Sequence, residues 1–273
     1  MKIFLFNPKP NPKPGLGKPG LGFLFLFIVV SVGAQPSWQS KDYIKKAFFE
    51  IAYKNEYNQE LKVDKLRRWE KSIHYKVDYF KFPAVLEIAE NMIDNHFKDL
   101  SDITALPIAK SNENPNFRVI LTKRTHYKEA IDKYTDSKIK NLDTESNCLL
   151  SFKYLYYQIV GATVIIPVDH TMKYGLLPAC IVEELTQAMG LPNDSDWVNP
   201  SVANDKSVLD LLTGLDYLML KILYDRRLAV GMGVKQSGAI IDEILLDFEQ
   251  QNLIKNAISK ARKLRLSQQL ELF

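Results

Sequence analysis

Residues Cys180-Ile181-Val182-Glu183-Glu184-Leu185-Thr186-Gln187-Ala188-Met189-Gly190-Leu191-Pro192-Asn193-Asp194 decide how this chain is read. Leu185, Ala188 and Met189 share one face of a short helix, Gly190 falls where a left-handed C-terminal turn belongs, and Pro192 stops the helix from continuing. Glu183 and Gln187 are four apart and share a side, whereas Glu184 is rotated by about 100°. Asn193 and Asp194 return just past the turn.

Upstream, the first 34 residues read as a separate object. Lys2, Lys9, Lys13 and Lys18 precede an apolar run from Leu21 to Val32 that closes on Gly33-Ala34, the pattern of a secretory signal peptide cleaved before Gln35. The run falls short of the ~20 residues of a membrane span, with an uncleaved N-terminal anchor as the other reading. The Asn-Pro-Lys-Pro repeat and Gly-Leu-Gly stretch inside the leader have no structural period. The expected localisation is export, to the periplasm, the envelope or the medium.

The full chain of 273 residues has 36 basic and 32 acidic side chains, and the leader holds four of the lysines and no acid. The mature chain is therefore balanced, which gives no compositional case for a nucleic-acid partner. No further membrane-spanning segment is expected, and the partner implied is a protein or peptide of the cell envelope. About 239 mature residues suit a single domain with two lobes. Cys148 and Cys180 are the only cysteines. In an oxidising compartment pairing is the natural reading, against two buried thiols that never meet.

In chain order, helical spacing of Tyr43, Ile44, Ala47, Phe48, Ile51 and Ala52 predicts a helix over 41–57. Alternation predicts a strand over 72–79 after Leu66-Arg67-Arg68-Trp69, and another over 116–122. A long helix runs between them over 84–100, through Val85, Leu86, Ile88, Ala89, Met92, Ile93 and Phe97. Residues 123–147 read as a polar loop with one helical turn near Tyr127 to Tyr134. Aromatic and β-branched residues over 148–168 predict strands broken at Gly161. After a polar loop, Ser207 is expected to cap a helix to about Tyr224, and a final helix spans 240–265 with a basic end. That end suits the helix dipole, with a membrane-surface or partner role as the alternative.

The central stretch resembles the metallopeptidases of the zincin class, whose helix carries histidines at the first and fifth positions, glutamate at the second, and a glycine turn leading to a third ligand. Glu183, Gln187 and Asn193 stand at those ligand positions and Glu184 at the general-base position. A closer resemblance is to a family of exported bacterial proteins of unknown function, some called putative lipoproteins. It rests on Cys180, Glu-Glu-Leu-Thr-Gln, Gly190-Leu191, Asn193-Asp194, Leu223-Tyr224-Asp225 and Gly231-Met232. No cysteine follows the expected cleavage site to carry a lipid. These resemblances imply an α+β, zincin-like fold: a small mixed sheet, a long helix, a central degenerate active-site helix and a helical C-terminal lobe. The domain would cover 35–273, its core about 60–235.

Function follows from the substituted positions. Zinc favours histidine, cysteine and carboxylate, whereas Glu183, Gln187 and Asn193 supply one charge between them, so no metal site is expected. Amide and carboxylate oxygens suit a hard cation such as calcium, and Glu183, Glu184, Asn193, Asp194, Asn204 and Asp205 would form such a set if the loop folds back. The leading expectation is a non-catalytic domain binding a partner or ligand in the former cleft through Glu183, Gln187, Asn193, Asp194, Asn204 and Asp205. The alternative is a hydrolase with Glu184 as general base, aided by a hard cation or by His170. A methionine beneath the zincin-like helix, by analogy Met232, completes the resemblance. A third reading is purely structural, with these polar residues only fixing the loop.

Overall fold

The computed structural model describes residues 37–54, 65–137, 139, 141–204, 206 and 209–271. The leader, its cleavage site, Ser207 and Asp205 lie outside them. In chain order the elements are α1 (Lys41–Tyr53), β1 (Ile73–Phe80), α2 (Glu87–Thr104), β2 (Ile108–Lys110) and β3 (Phe117–Thr122). There follow α3 (Tyr127–Tyr134), α4 (Leu142–Glu145), β4 (Leu149–Leu155), β5 (Gln158–Pro167), α5 (Val168–Lys173) and α6 (Leu177–Gln187). The C-terminal half is helical: α7 (Gly214–Leu223), α8 (Val234–Gln250), α9 (Leu253–Arg262) and α10 (Arg265–Leu270). The class is α+β.

The five strands form one mixed sheet in the order β2-β1-β3-β5-β4. β2, β1, β3 and β5 run parallel, and β4 pairs antiparallel to β5 at the edge. Strand alternation splits the side chains between two cores. Phe117, Val119 and Leu121 of β3, with Ala162, Val164 and Ile166 of β5, face the large core shared with α1, α2, α6 and α7. Ile120 and Ile165 face the other way, into a small core closed by Tyr127, Ala130 and Ile131 of α3 and by Leu142. Covered on both faces, β3 is apolar almost throughout, as a central strand of a parallel sheet must be.

Several local expectations are corrected. Gly161 does not break a strand: it sits within β5 opposite Lys153, and the chain reverses at Tyr156-Tyr157, both at positive φ (48° and 70°). An aromatic pair in a tight turn carries none of the Gly or Asn signals that mark such turns. The helix expected from Ser207 starts only at Gly214, because Thr213 and Asp216 form a capping box; Leu211 and Leu212 precede it. The final helix is three helices, divided by a left-handed Asn252 (φ 56°) and an extended Leu264. Among the described residues, 123–147 hold a 3-10 turn at Arg124–His126, α3 and α4 rather than one turn, and the short β2 gives no sequence signal because three residues carry no period. α2 begins at Glu87, leaving Val85 67% exposed. α1 ends at Tyr53, and residues 55–57 lie outside the described part.

Among the described residues no helix is long and apolar enough to cross a membrane.

Candidate functional site

The sheet presents α6 directly after β5 and α5, and α2 lies against it from below. Pro178 in its first turn is tolerated because the amide it removes would lack a partner there. The other end is held by side chains from distant segments. Trp69 Nε1 donates to the Ala188 carbonyl at 2.8 Å and Tyr224 Oη to the Met189 carbonyl at 2.9 Å. These satisfy two carbonyls that a helix end otherwise leaves open. Gly190 then takes φ +116°, a conformation that favours glycine.

Cys180, one turn into α6, is bonded to Cys148 just before β4, with the two Cα atoms 6.0 Å apart. The edge strand and the central helix are thereby tied together.

Glu184 is 8% exposed, Gln187 9% and Asn193 7%, while Glu183 and Asp194 are partly exposed. Gln187 Nε2 donates to Asp194 Oδ1 at 2.5 Å. Asn193 is tied to the end of α1: its backbone N–H donates to Ile51 O at 3.2 Å and its Nδ2 to Glu50 O at 3.1 Å. The same Nδ2 reaches Asp194 O at 2.7 Å. The helix and the turn after it thus bring Glu184, Gln187, Asn193 and Asp194 together, with the partly exposed Glu183 one residue before Glu184 on the helix.

Asn204 serves another purpose. Its Nδ2 donates to Val198 O and its Oδ1 accepts from Lys206 N–H, both at 2.8 Å. The loop is closed again by Ser195 N–H on Ala203 O. Its amide shapes that loop.

Burial pushes the Glu184 carboxyl up to about 8, with the charge of Asp194 as the second cause. The like charge that adds to burial lies across the turn, on Asp194, rather than on the adjacent Glu183. Within the described residues no hydrogen bond engages this carboxyl. Near neutral pH Glu184 is mostly a protonated acid, and it becomes a base only above that value.

His96 of α2 lies under α6, its Nε2 3.0 Å from Thr186 Oγ1 and its ring hydrogen-bonded to the backbone of Val182. Desolvation drives its pKa down to about 3. Its place among Met92, Ile93, Phe97 and Leu100 on the apolar stripe was the available sequence signal. Asp216 was also missed as a support: Ser201 Oγ, Val202 N–H and Thr213 N–H all donate to its buried carboxylate. The Thr-x-x-Asp spacing was legible.

His170 is half-buried in α5, with Nε2 3.0 Å from Asn147 Oδ1 and its ring against Tyr174. Met232 packs on the large core, and its sulfur accepts from Ala229 N–H in its own turn. Leu66 N–H donates to its carbonyl at 2.9 Å.

Glu183, Gln187 and Asn193 present one carboxylate and two amides, and the amide N–H groups donate to Asp194 and to α1. Among the described residues no group of three His, Cys, Asp or Glu side chains is placed to hold a metal ion.

The fold and site define an α+β protein with a mixed sheet and a polar, partly buried helix-and-turn cluster at its centre. Residues 41–243 match the family model of a protein of unknown function, DUF2927, and the chain belongs to that family. No curated protein matches it.

Proposed function

We propose that this is an exported, zincin-like domain without zinc catalysis, which binds an extended segment of a protein or peptide partner in the cell envelope. The observation that carries the reading is Asn193. At the position of a third zinc ligand stands an amide locked to the α1 carbonyls, part of a hydrogen-bonded turn rather than a coordination sphere. The β4 strand supports the ligand class. Among the described residues it pairs with a strand on one side only, and Tyr154 and Leu155 near its end are exposed. An open strand edge offers main-chain hydrogen bonds to an extended chain.

The test uses the purified mature protein and an extended-peptide library, with elemental analysis in parallel. Peptide binding without stoichiometric metal and without turnover is expected. Chelator-sensitive hydrolysis that disappears in Glu184→Gln would sink the reading.

One observation favours a second reading, a carboxylate-based hydrolase: a buried Glu184 with a raised pKa is poised for proton transfer. As its pKa is about 8, it would donate a proton at neutral pH and accept one only in alkaline conditions. Turnover rising through that pH, and absent in Glu184→Gln, would distinguish it.

A further inference from the structure

Arg67 and Arg68 are consecutive and both buried, yet only one has a full set of partners. Arg68 donates through Nε to Glu70 Oε1 at 2.8 Å, through Nη1 to Asp225 O at 3.2 Å and through Nη2 to Leu228 O at 2.9 Å. Its guanidinium also stacks over the Tyr224 ring. That arginine is a structural rivet.

Arg67 is 5% exposed, and its Nη2 donates to the carbonyl of Lys54 at 3.2 Å. The guanidinium carbon lies 5.5 Å from the centre of the Tyr154 ring. Its Nε–H is buried with no hydrogen-bond partner among the described residues. A guanidinium withdrawn from water is strongly unfavourable unless an acid or a full set of acceptors replaces the solvent. A backbone carbonyl together with the ring and hydroxyl of Tyr154 leaves the Nε–H unmatched.

Its position names what is missing. Tyr154 belongs to β4, an edge strand of the sheet among the described residues, and is 40% exposed. The Arg67 backbone abuts Gly190, the turn that ends α6, and Lys54 closes α1. Arg67 therefore stands where the strand edge, the central helix and α1 meet.

We propose that Arg67, stacked on Tyr154, is the counter-ion for a carboxylate carried by an extended peptide lying along β4. This rests on the peptide-binding reading above and assigns its specificity. The planar fork of arginine matches the two oxygens of a carboxylate. The carboxylate comes from either the peptide's C-terminus or an acidic side chain.

The test uses four probes on the full mature protein: a hexapeptide of alternating valine and serine with a free C-terminus, the same peptide amidated, an amidated version with one internal glutamate, and succinate. Affinities are measured by calorimetry on wild type, Arg67→Met and Arg67→Lys, the last retaining charge should the methionine variant fold poorly. At least a tenfold preference of the wild type for one carboxylate peptide over the neutral one is expected. The preferred peptide tells the C-terminus from the side chain. In Arg67→Met the preference should vanish while neutral-peptide affinity is kept, and Arg67→Lys should lose most of it. An undiminished preference in Arg67→Met overturns the assignment. If no peptide binds but succinate does, and only with Arg67 present, the peptide reading falls and the carboxylate site stands. Silence from all four probes overturns both.

Discussion

The α-carbon of Gly190 faces the backbone of Arg67 at φ +116°, so closely that a methyl group on it would collide with the Arg67 carbonyl oxygen. The end of the central helix is thus molded against the segment leading into β1, and the cluster at Asn193 depends on that fit. Gly190→Ala combines a disfavoured backbone with a steric clash and should cost about 3 kcal/mol. Urea denaturation measures the loss. A change below about 0.5 kcal/mol would show that the turn relaxes freely.

Stability should form a plateau in pH, to which two buried groups of opposite sense contribute. Glu184 is raised from 4.5 to about 8, so its contribution is complete below about 4.5 and is lost as pH rises toward 8. His96 is lowered from 6.5 to about 3, so its contribution is complete above 6.5 and is lost as pH falls toward 3. Between 4.5 and 6.5 the two slopes oppose each other, and on either side of that window one of the pair contributes up to about 1.4 kcal/mol per pH unit. Glu184→Gln should remove much of the alkaline decline and leave the acid limb intact. Thermal melts from pH 3 to 9 would decide; a variant curve parallel to wild type throughout would count against the buried-acid assignment.

The Cys148–Cys180 bond closes a separation of 32 residues. On the chain-entropy model its loss costs about 3–4 kcal/mol. Reductant should lower the melting temperature of the wild type and leave a Cys148→Ser, Cys180→Ser variant unmoved. Equal responses of the two proteins would argue against the bond in solution.

Because the Gln187 and Asn193 amides are engaged in the turn, chelation should leave stability unchanged. Differential scanning with and without a strong chelator, beside elemental analysis of Glu183→Ala, Glu184→Ala, tests this. A chelator-induced drop in melting temperature that the double variant lacks would restore a metal to the site.

The sequence alone marked the central helix and its stop, since apolar spacing, Gly190 and Pro192 act locally and leave few alternatives. It likewise marked α2, β1 and β3, whose periods are long enough to count, and the pairing of the two cysteines. Where a turn carries no turn residues, as at Tyr156-Tyr157, or a strand is three residues long, as in β2, local composition has nothing to signal. Only the tertiary structure decided which polar residues were buried and which partners they met. Glu184 and Glu183 are neighbours in sequence, yet one is desolvated beside Asp194 and the other is partly exposed. Asn193 finds its acceptors on α1, 143 residues away. Arg67 and Arg68 are adjacent, yet their guanidinium groups meet different hydrogen-bond partners. Burial and long-range hydrogen bonds arise from packing between distant segments, and no local pattern of residue types contains them.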